Sequence, residues 1–163
     1  MKNLLLRHVV TVFLLIPALN APLYAQDDSE KIRALFGRYL DAWNKGDLMT
    51  IGSEIYQPPL YIFEAQGTQI LETAEDIAAL LSEVRIELDK TGFDHSELEG
   101  VSVCELGGGL AFASFHYSRY DQAGNAMDEK ALSSAYIARR SDDGWHLAAH
   151  VMQFQPSTLS CSD

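Results

Sequence analysis

The sequence predicts an α+β fold, with three helices in the first half of the chain and four long strands in the second half. Apolar residues recur at intervals of three and four up to about residue 92 and at alternate positions from residue 93 onward. The first spacing is typical of amphipathic helices, and the second is typical of strands with one buried face. Because the helices and strands are segregated along the chain, we expect one sheet with the helices on one of its faces.

The first helix is predicted from Ser29 to about Asn44. It follows the capping sequence Asp27-Asp28-Ser29, and Gly46 ends it because glycine readily adopts the left-handed conformation of a helix C-terminus. One continuous apolar stripe indicates the face that packs on the sheet. The stripe consists of Ile32, Leu35, Phe36, Tyr39, Leu40 and Trp43.

Two more helices flank a pair of short predicted strands at about 60–64 and 68–71. Asp47 caps the second helix, which Pro58-Pro59 ends because proline lacks an amide proton. Thr73 and Asp76 form a capping box at the start of the third helix, which continues to Gly92. Its predicted inner face carries Ile77, Leu80, Leu81, Val84 and Leu88.

Four long strands are predicted at about 96–106, 110–121, 127–140 and 145–154. Their short connections predict antiparallel neighbours, and the Asp143-Gly144 step predicts a tight turn in the last hairpin. Strict alternation along the last strand predicts one apolar face and one face with two histidines. The first carries Trp145, Leu147, Ala149 and Val151, and the second carries His146, Ala148, His150 and Met152.

The N-terminal segment has the features of a secretory signal peptide. A basic start precedes an uncharged apolar run that Pro17 breaks, and Ala25 stands just before an acidic cluster. Cleavage is predicted after Ala25, with cleavage after Ala21 or an uncleaved anchor as alternatives. The chain is therefore divided into a signal peptide at 1–25, a domain at 26–155 and a tail at 156–163, and we expect export to a periplasm or to the outside of the cell.

The composition argues against several classes of partner. A formal net charge of −11 repels phosphate groups, so we expect no nucleic acid partner and no membrane partner after signal cleavage. No glycine-rich phosphate loop precedes a helix, and His146 and His150 are about 13 Å apart along a strand, too far to share a metal ion. We therefore expect neither a cofactor nor a metal site.

The two cysteines, Cys104 and Cys161, are an even count in a chain with predicted export. A disulfide between them is therefore favoured, and it would stabilise the chain by about 4 kcal/mol in the loop-entropy model. Two unpaired thiols are the alternative.

Several local strings resemble the NTF2-like superfamily, in particular its SnoaL-like and ketosteroid-isomerase-like members. These are YLDAWNKGD at 39–47, TAEDI at 73–77 and RRSDDGW at 139–145, and the resemblance extends over 29–154. It implies a cone in which a curved antiparallel sheet of about four long strands plus a short strand pair packs against three N-terminal helices. The cone would leave a pocket open at one end.

The resemblance also implies candidate catalytic residues. Glu64 falls on the position of the catalytic carboxylate of isomerase-like members, and Tyr39 falls on their oxyanion-donor tyrosine. A carboxylate moves a proton beside a carbonyl group, and a phenol donates to the oxygen that gains charge. The second oxyanion donor, an acid on a late strand, has no counterpart in this chain. His150 is a third candidate, although the last strand pattern places it away from the face that carries Trp145.

The predicted function is the binding of a small, largely apolar molecule in the pocket. Trp43, Tyr61, His116 and Tyr136 are the candidate ligand-binding residues. An enzyme of the proton-transfer or hydration type, using Glu64 and Tyr39, is one alternative. A non-catalytic dimerisation or interaction module is another, and the resemblance implies a homodimer. Purely structural roles are also open, namely core aromatic residues for Tyr39 and Trp43 and a solvated rim carboxylate for Glu64.

Overall fold

The computed structural model describes residues 27–152, and these residues confirm the predicted α+β fold. Three helices precede most of a six-stranded sheet. The signal peptide and the tail at 156–163 lie outside the described residues, so both stay predictions. The elements are α1 (Asp28–Lys45), α2 (Leu48–Thr50), β1 (Tyr56–Glu64), β2 (Gly67–Leu71), α3 (Ala74–Asp89), β3 (Phe93–Gly107), β4 (Leu110–Asp121), β5 (Leu132–Ser141) and β6 (Gly144–Val151).

The ends of the helices coincide with polar capping residues and with a glycine. The Asp27 side chain accepts a hydrogen bond from the Ser29 amide, and Gly46 ends α1 with φ of 72°. A π-helical turn, Ile51–Ile55, extends α2 toward β1. The Thr73 hydroxyl and the Asp76 carboxylate each accept a hydrogen bond from the other residue's backbone amide, which confirms the predicted capping box.

The sheet has the strand order β2-β1-β6-β5-β4-β3. The four long strands form the predicted antiparallel meander, and β1 and β2 form an antiparallel pair. The two sets join where β1 runs parallel to β6. β5 begins at Leu132 rather than near Met127, because the preceding segment folds back on β4 and the Asp128 carboxylate binds Arg119.

A register shift in β6 corrects the predicted faces of that strand. Leu147 is opposite Ala138, whereas Ala149 is opposite Ile137, so Ala148 is an extra residue in β6. Such a bulge reverses the side-chain alternation beyond it. His150, which is opposite Tyr136, therefore shares the helix-facing side of the sheet with Trp145 and Leu147.

The main core lies between α1 and the inner face of the sheet, which we define as the face that packs against the helices. Ile32, Leu35 and Phe36 are fully buried. The Phe36 ring centroid is 5.2 Å from that of Phe115 and 5.2 Å from that of Tyr136. Burial of each such side chain contributes about 1.5–3 kcal/mol. By contrast, Ile77 is the buried residue of α3, and Leu80, Leu81 and Leu88 are only partly buried against the core.

Candidate functional site

A cavity of about 410 Å³ lies between α3, the end of α1 and the inner face of the sheet. Its volume is within the range of small-molecule sites, roughly 300–1,000 Å³. Most of its lining is aliphatic or aromatic. The lining residues are Tyr39, Leu40, Trp43, Tyr56, Leu60, Ile62, Glu64, Gln69, Leu71, Ile77, Leu80, Leu81, Val84, Leu88, Ser96, Phe115, Tyr117, Arg119, Leu132, Ser133, Ser134, Tyr136, His150 and Met152.

The apolar face of α3 forms one wall of this cavity. Leu80, Leu81, Val84 and Leu88 line it, but none of them is buried, and Val84 is 47% exposed. Leu80, Leu81 and Leu88 pack partly against the core, and the rest of their surface borders the cavity. An apolar molecule in the cavity would remove their surface from water, which is favourable by about 25 cal/mol per Å².

Three tyrosines cluster on the floor of the cavity. The ring of Tyr56 is 6.0 Å from that of Tyr39 and 6.4 Å from that of Tyr136. Burial of the hydroxyl group raises the pKa of Tyr39 to about 12, and burial also raises the pKa values of Tyr56 and Tyr136. All three groups are therefore neutral phenols near pH 7, able to donate or accept a hydrogen bond.

His150 is the most unusual polar group in the cavity. Its ring stacks on Tyr136 with 4.6 Å between centroids and 11° between planes. Its Nε2 atom is buried and has no hydrogen-bond partner among the described residues. Burial lowers the pKa of His150 to about 4, so the imidazole is neutral near pH 7. Such a group needs a partner, because an unsatisfied buried polar atom costs about 1–3 kcal/mol.

Two charged residues line the cavity at positions three strands apart. Glu64 is exposed at the end of β1, opposite Gly67. Arg119 on β4 makes a bidentate contact with Asp128, with distances of 2.8 Å from Nε and 2.6 Å from Nη2. Glu64 is thus accessible to water at the cavity mouth, whereas Arg119 is already paired.

A second polar atom without a partner in the described region is Ser96 Oγ. The backbone of Ser96 is fixed at the end of α1, because its amide donates to Asn44 Oδ1 and its carbonyl accepts from Asn44 Nδ2, both at 2.9 Å. The residue itself is 3% exposed. Ser96 adds a small polar spot to a mostly apolar surface.

The cavity brings together five of the seven residues that sequence reasoning assigned to catalysis or ligand binding. These are Tyr39, Trp43, Glu64, Tyr136 and His150.

Tyr61 and His116 do not line the cavity. Tyr61 is opposite Ala149 and His116 is opposite Ser133, and the strand register places both on the outer face of the sheet. They are out of phase with the inward-facing residues of their strands, so their assignment as ligand-binding residues of this cavity is corrected.

Sequence reasoning missed several lining residues, notably Tyr56, Ser96, Tyr117 and Arg119. Tyr117 and Arg119 alternate with Phe115 along β4, so the period of that strand was an available signal. Tyr56 lies in the stretch before two prolines that was predicted to end a helix, and the sequence there gave no signal for a cavity.

The disulfide and the expected absence of a metal site both stay predictions. Cys104 is partly buried on β3, and Cys161 lies outside the described residues, so the disulfide stays a prediction. Within residues 27–152 no group of three or more His, Cys, Asp or Glu side chains is placed to hold a metal ion. In the same part of the chain no helix is long and apolar enough to cross a membrane.

A comparison with protein families matches residues 28–154 to the family described as NTF2-like protein (DUF6841). The chain therefore belongs to this NTF2-like family, which confirms the resemblance seen in its sequence. A comparison with curated proteins gives no match.

Solved structures with the same fold come from several bacteria. A domain of unknown function with a cystatin-like fold from Nostoc punctiforme is 18% identical, with a TM-score of 0.62 over 81% of this chain and 80% of that chain. An NTF2-like protein from Novosphingobium aromaticivorans is 22% identical, with a TM-score of 0.60 over 76% and 79%. An NTF2-like protein from Streptomyces avermitilis, described provisionally as a dehydratase, is 17% identical, with a TM-score of 0.54 over 76% and 93%. At these identities the likenesses establish the fold.

Proposed function

We propose that this protein binds a small, largely apolar molecule in the cavity beneath α3. The incompletely buried apolar side chains of α3 support this proposal, because a ligand would cover surface that the folded chain leaves in contact with water. The cavity volume of about 410 Å³ suits a molecule of two or three fused rings.

The ligand carries a polar group that hydrogen-bonds to His150. The buried, unpartnered Nε2 atom of His150 is the observation that carries this part of the proposal. A neutral imidazole nitrogen is a donor or an acceptor according to its tautomer, so a hydroxyl group satisfies it in either form. The ligand is expected to be uncharged where it meets His150, because burial disfavours charge there.

Binding of two matched aromatic probes tests this assignment. We expect wild-type protein to bind 2-naphthol about tenfold more tightly than 2-methylnaphthalene, which has a similar shape but no hydroxyl group. His150→Phe should remove this preference. His116→Phe changes the same ring on the outer face and should keep it, which separates the cavity from the site that sequence reasoning predicted.

Equal affinity of the wild-type protein for the two probes would contradict the role of His150. Absence of saturable binding of either probe would contradict the binding function. Native mass spectrometry of protein purified from its own cells complements the probes by identifying any molecule that remains bound.

Proton transfer is a second candidate, supported by the placement of Glu64 and Tyr39 on the same cavity. In this reaction the Glu64 carboxylate accepts a proton from a carbon beside a ketone, and the neutral Tyr39 phenol donates a hydrogen bond to the enolate oxygen. The proton then returns to carbon. This candidate ranks second because Glu64 is exposed, so water competes for the carboxylate before substrate arrives.

Deuterium exchange into 2-tetralone, followed by NMR in D₂O, tests the enzymatic candidate. We expect exchange above the buffer rate, a loss of that excess in Glu64→Gln, and no loss in Glu72→Gln, whose carboxylate is exposed and not part of the cavity. Exchange at the buffer rate with wild-type protein would rule out this activity on bicyclic ketones.

We also propose that the protein is exported. The proposal is supported by the basic start, the apolar run and the small residue at Ala25. Cell fractionation with N-terminal sequencing should recover a periplasmic or secreted protein that begins at Gln26. Recovery of the full-length chain from the cytoplasm would contradict it.

A further inference from the structure

The outer face of the sheet lies opposite the helices and consists of the outward-pointing residues of the strands. In the strand register, Val151, Ala135 and Ser114 form one row across β6, β5 and β4. Cys104 on β3 points to the same side, because it is opposite Phe112, two residues before Ser114. The outer face therefore places a cysteine near one edge of a row of small residues.

Burial across this face is uneven. Ala135 is 0% exposed and Ser114 is 1% exposed, although the helices pack on the other side of the sheet. On the neighbouring strand β1, Tyr61 is 40% exposed and Phe63 is 42% exposed. His116 Nε2 lies 3.2 Å from Ser114 Oγ on the same face and shields that residue. A cover that passes over β5, but not over β1, accounts for the burial of Ala135.

The chain leaves the described region beside the outer face, where its last residues can provide such a cover. The described residues end at Met152, which directly follows Val151 of the outer face. The Met152 amide donates a hydrogen bond to the Phe63 carbonyl at 3.1 Å. The sequence QFQPSTLSCSD follows at 153–163 and contains two apolar residues, Phe154 and Leu159, as well as Cys161. This segment combines apolar anchors with short polar residues, which suits a strip lying on a sheet.

The length of the segment fits the distance to Cys104. Three strand spacings of about 4.8 Å and one step of two residues along a strand separate Val151 from Cys104, or roughly 16 Å in total. Ten residues from Val151 to Cys161 reach as far as about 33 Å when extended. The segment can therefore cross β5 and β4 with slack and bring the two sulfur atoms together.

We infer that residues 153–161 lie across the outer face, over Ala135 and Ser114, and that a disulfide between Cys104 and Cys161 fixes them there. The bond joins the two sulfur atoms as two protons and two electrons leave. A disulfide-bearing oxidant of the exporting compartment accepts the electrons and is reduced to two thiols.

In this placement residues 153–161 cover the outer face of the sheet. That face is the surface through which two copies of the chain would otherwise pair. The oxidised protein is then a monomer with a covered outer face. Loss of the tail uncovers the apolar residues Phe112 and Ile137, which lie beside its path.

The test combines peptide mapping, light scattering and hydroxyl-radical labelling of the full chain. The non-reducing map should contain a linkage between Cys104 and Cys161, and light scattering should give a monomer mass. Two variants, Cys161→Ser and a chain ended after Met152, should then show severalfold higher labelling of Phe112 and Ile137 at concentrations where they are monomeric. Ile86, on the exposed side of α3, is the internal control and should not change.

Three results would overturn the inference. The first is a map without the linkage. The second is labelling of Phe112 and Ile137 that is the same with and without the tail. The third is a full-length dimer whose outer face is protected even when the chain ends after Met152, because a second copy would then be the occupant. The Cys161→Ser variant keeps the whole chain, so the test stands if the shortened chain does not fold.

Discussion

α1 and α3 both carry apolar stripes, but they meet the sheet in different ways. On α1, Ile32, Leu35 and Phe36 are fully buried. On α3, the equivalent stripe is buried at Ile77 and open to a cavity at Leu81 and Val84. Helical periodicity therefore identifies the apolar face of a helix, but does not tell whether that face packs against protein or borders a cavity.

A matched pair of truncations tests the difference in packing between α1 and α3 and has the largest expected effect on stability. Phe36→Ala should lower the free energy of unfolding by about 3–5 kcal/mol, because it opens a cavity beside Phe115 and Tyr136. Val84→Ala on α3 should cost about 1 kcal/mol or less, because its side chain is 47% exposed and borders the cavity. Urea unfolding measures both. Equal costs would show that α3 packs as tightly as α1.

The pH dependence of stability tests the burial of His150 on the cavity side. Burial lowers its pKa from 6.5 to about 4, so between these values the unfolded chain binds the proton more readily than the folded chain. The contribution of neutral His150 is complete above pH 6.5 and is lost as the pH falls to about 4. The loss amounts to roughly 3 kcal/mol.

His150→Phe is the control for this titration, since the ring still stacks on Tyr136 but does not titrate. Unfolding free energies at pH 7 and pH 4 should differ less in the variant than in the wild type. The same pH dependence in both proteins would show that His150 is solvated rather than buried.

A pair of glycine substitutions tests how the N-terminal end of α3 is held. A β-carbon at Gly52 would lie 2.5 Å from the backbone oxygen of Ala74, so Gly52→Ala should cost about 1–3 kcal/mol. Gly37 in α1 has no atom within 4 Å of that position, and Gly37→Ala should instead stabilise the protein by about 0.5–1 kcal/mol. Thermal unfolding of the two variants should move in opposite directions.

The smallest predicted effect concerns the cap of α3. Thr73→Ala removes the hydroxyl that accepts from the Asp76 amide and should cost about 1 kcal/mol. Thr73→Ser keeps the acceptor and should be close to wild type. If Thr73→Ala changes neither stability nor helix content by circular dichroism, packing rather than capping positions this helix.

Much of the fold was predictable because its signals are local. The caps at Asp27 and Thr73, the glycine at position 46 and the Asp143-Gly144 turn each act within a few residues. The parallel contact between β1 and β6 was not predictable, since no local feature of either strand encodes its partner.

The candidate site was predictable only in part. Tyr39 could be found from the family resemblance, and Trp43 and Tyr136 could be found because aromatic residues on apolar faces point toward the interior. The bulge at Ala148 could not be anticipated from a run of small residues, and it alone turns His150 to the inner face. The same kind of reasoning failed for Tyr61 and His116, whose strand phase depends on pairing that the sequence does not specify.

Binding of a neutral apolar dye, N-phenyl-1-naphthylamine, to three proteins tests most directly whether the space beneath α3 is a ligand site. We expect wild-type protein and Ile86→Trp, whose new ring lies on the exposed side of α3, to bind one dye per chain with the same affinity. Leu81→Trp should fill the cavity and weaken binding by about tenfold or more, while circular dichroism shows that it remains folded. Equal binding by all three folded proteins would contradict the claim that the space beneath α3 is a ligand site.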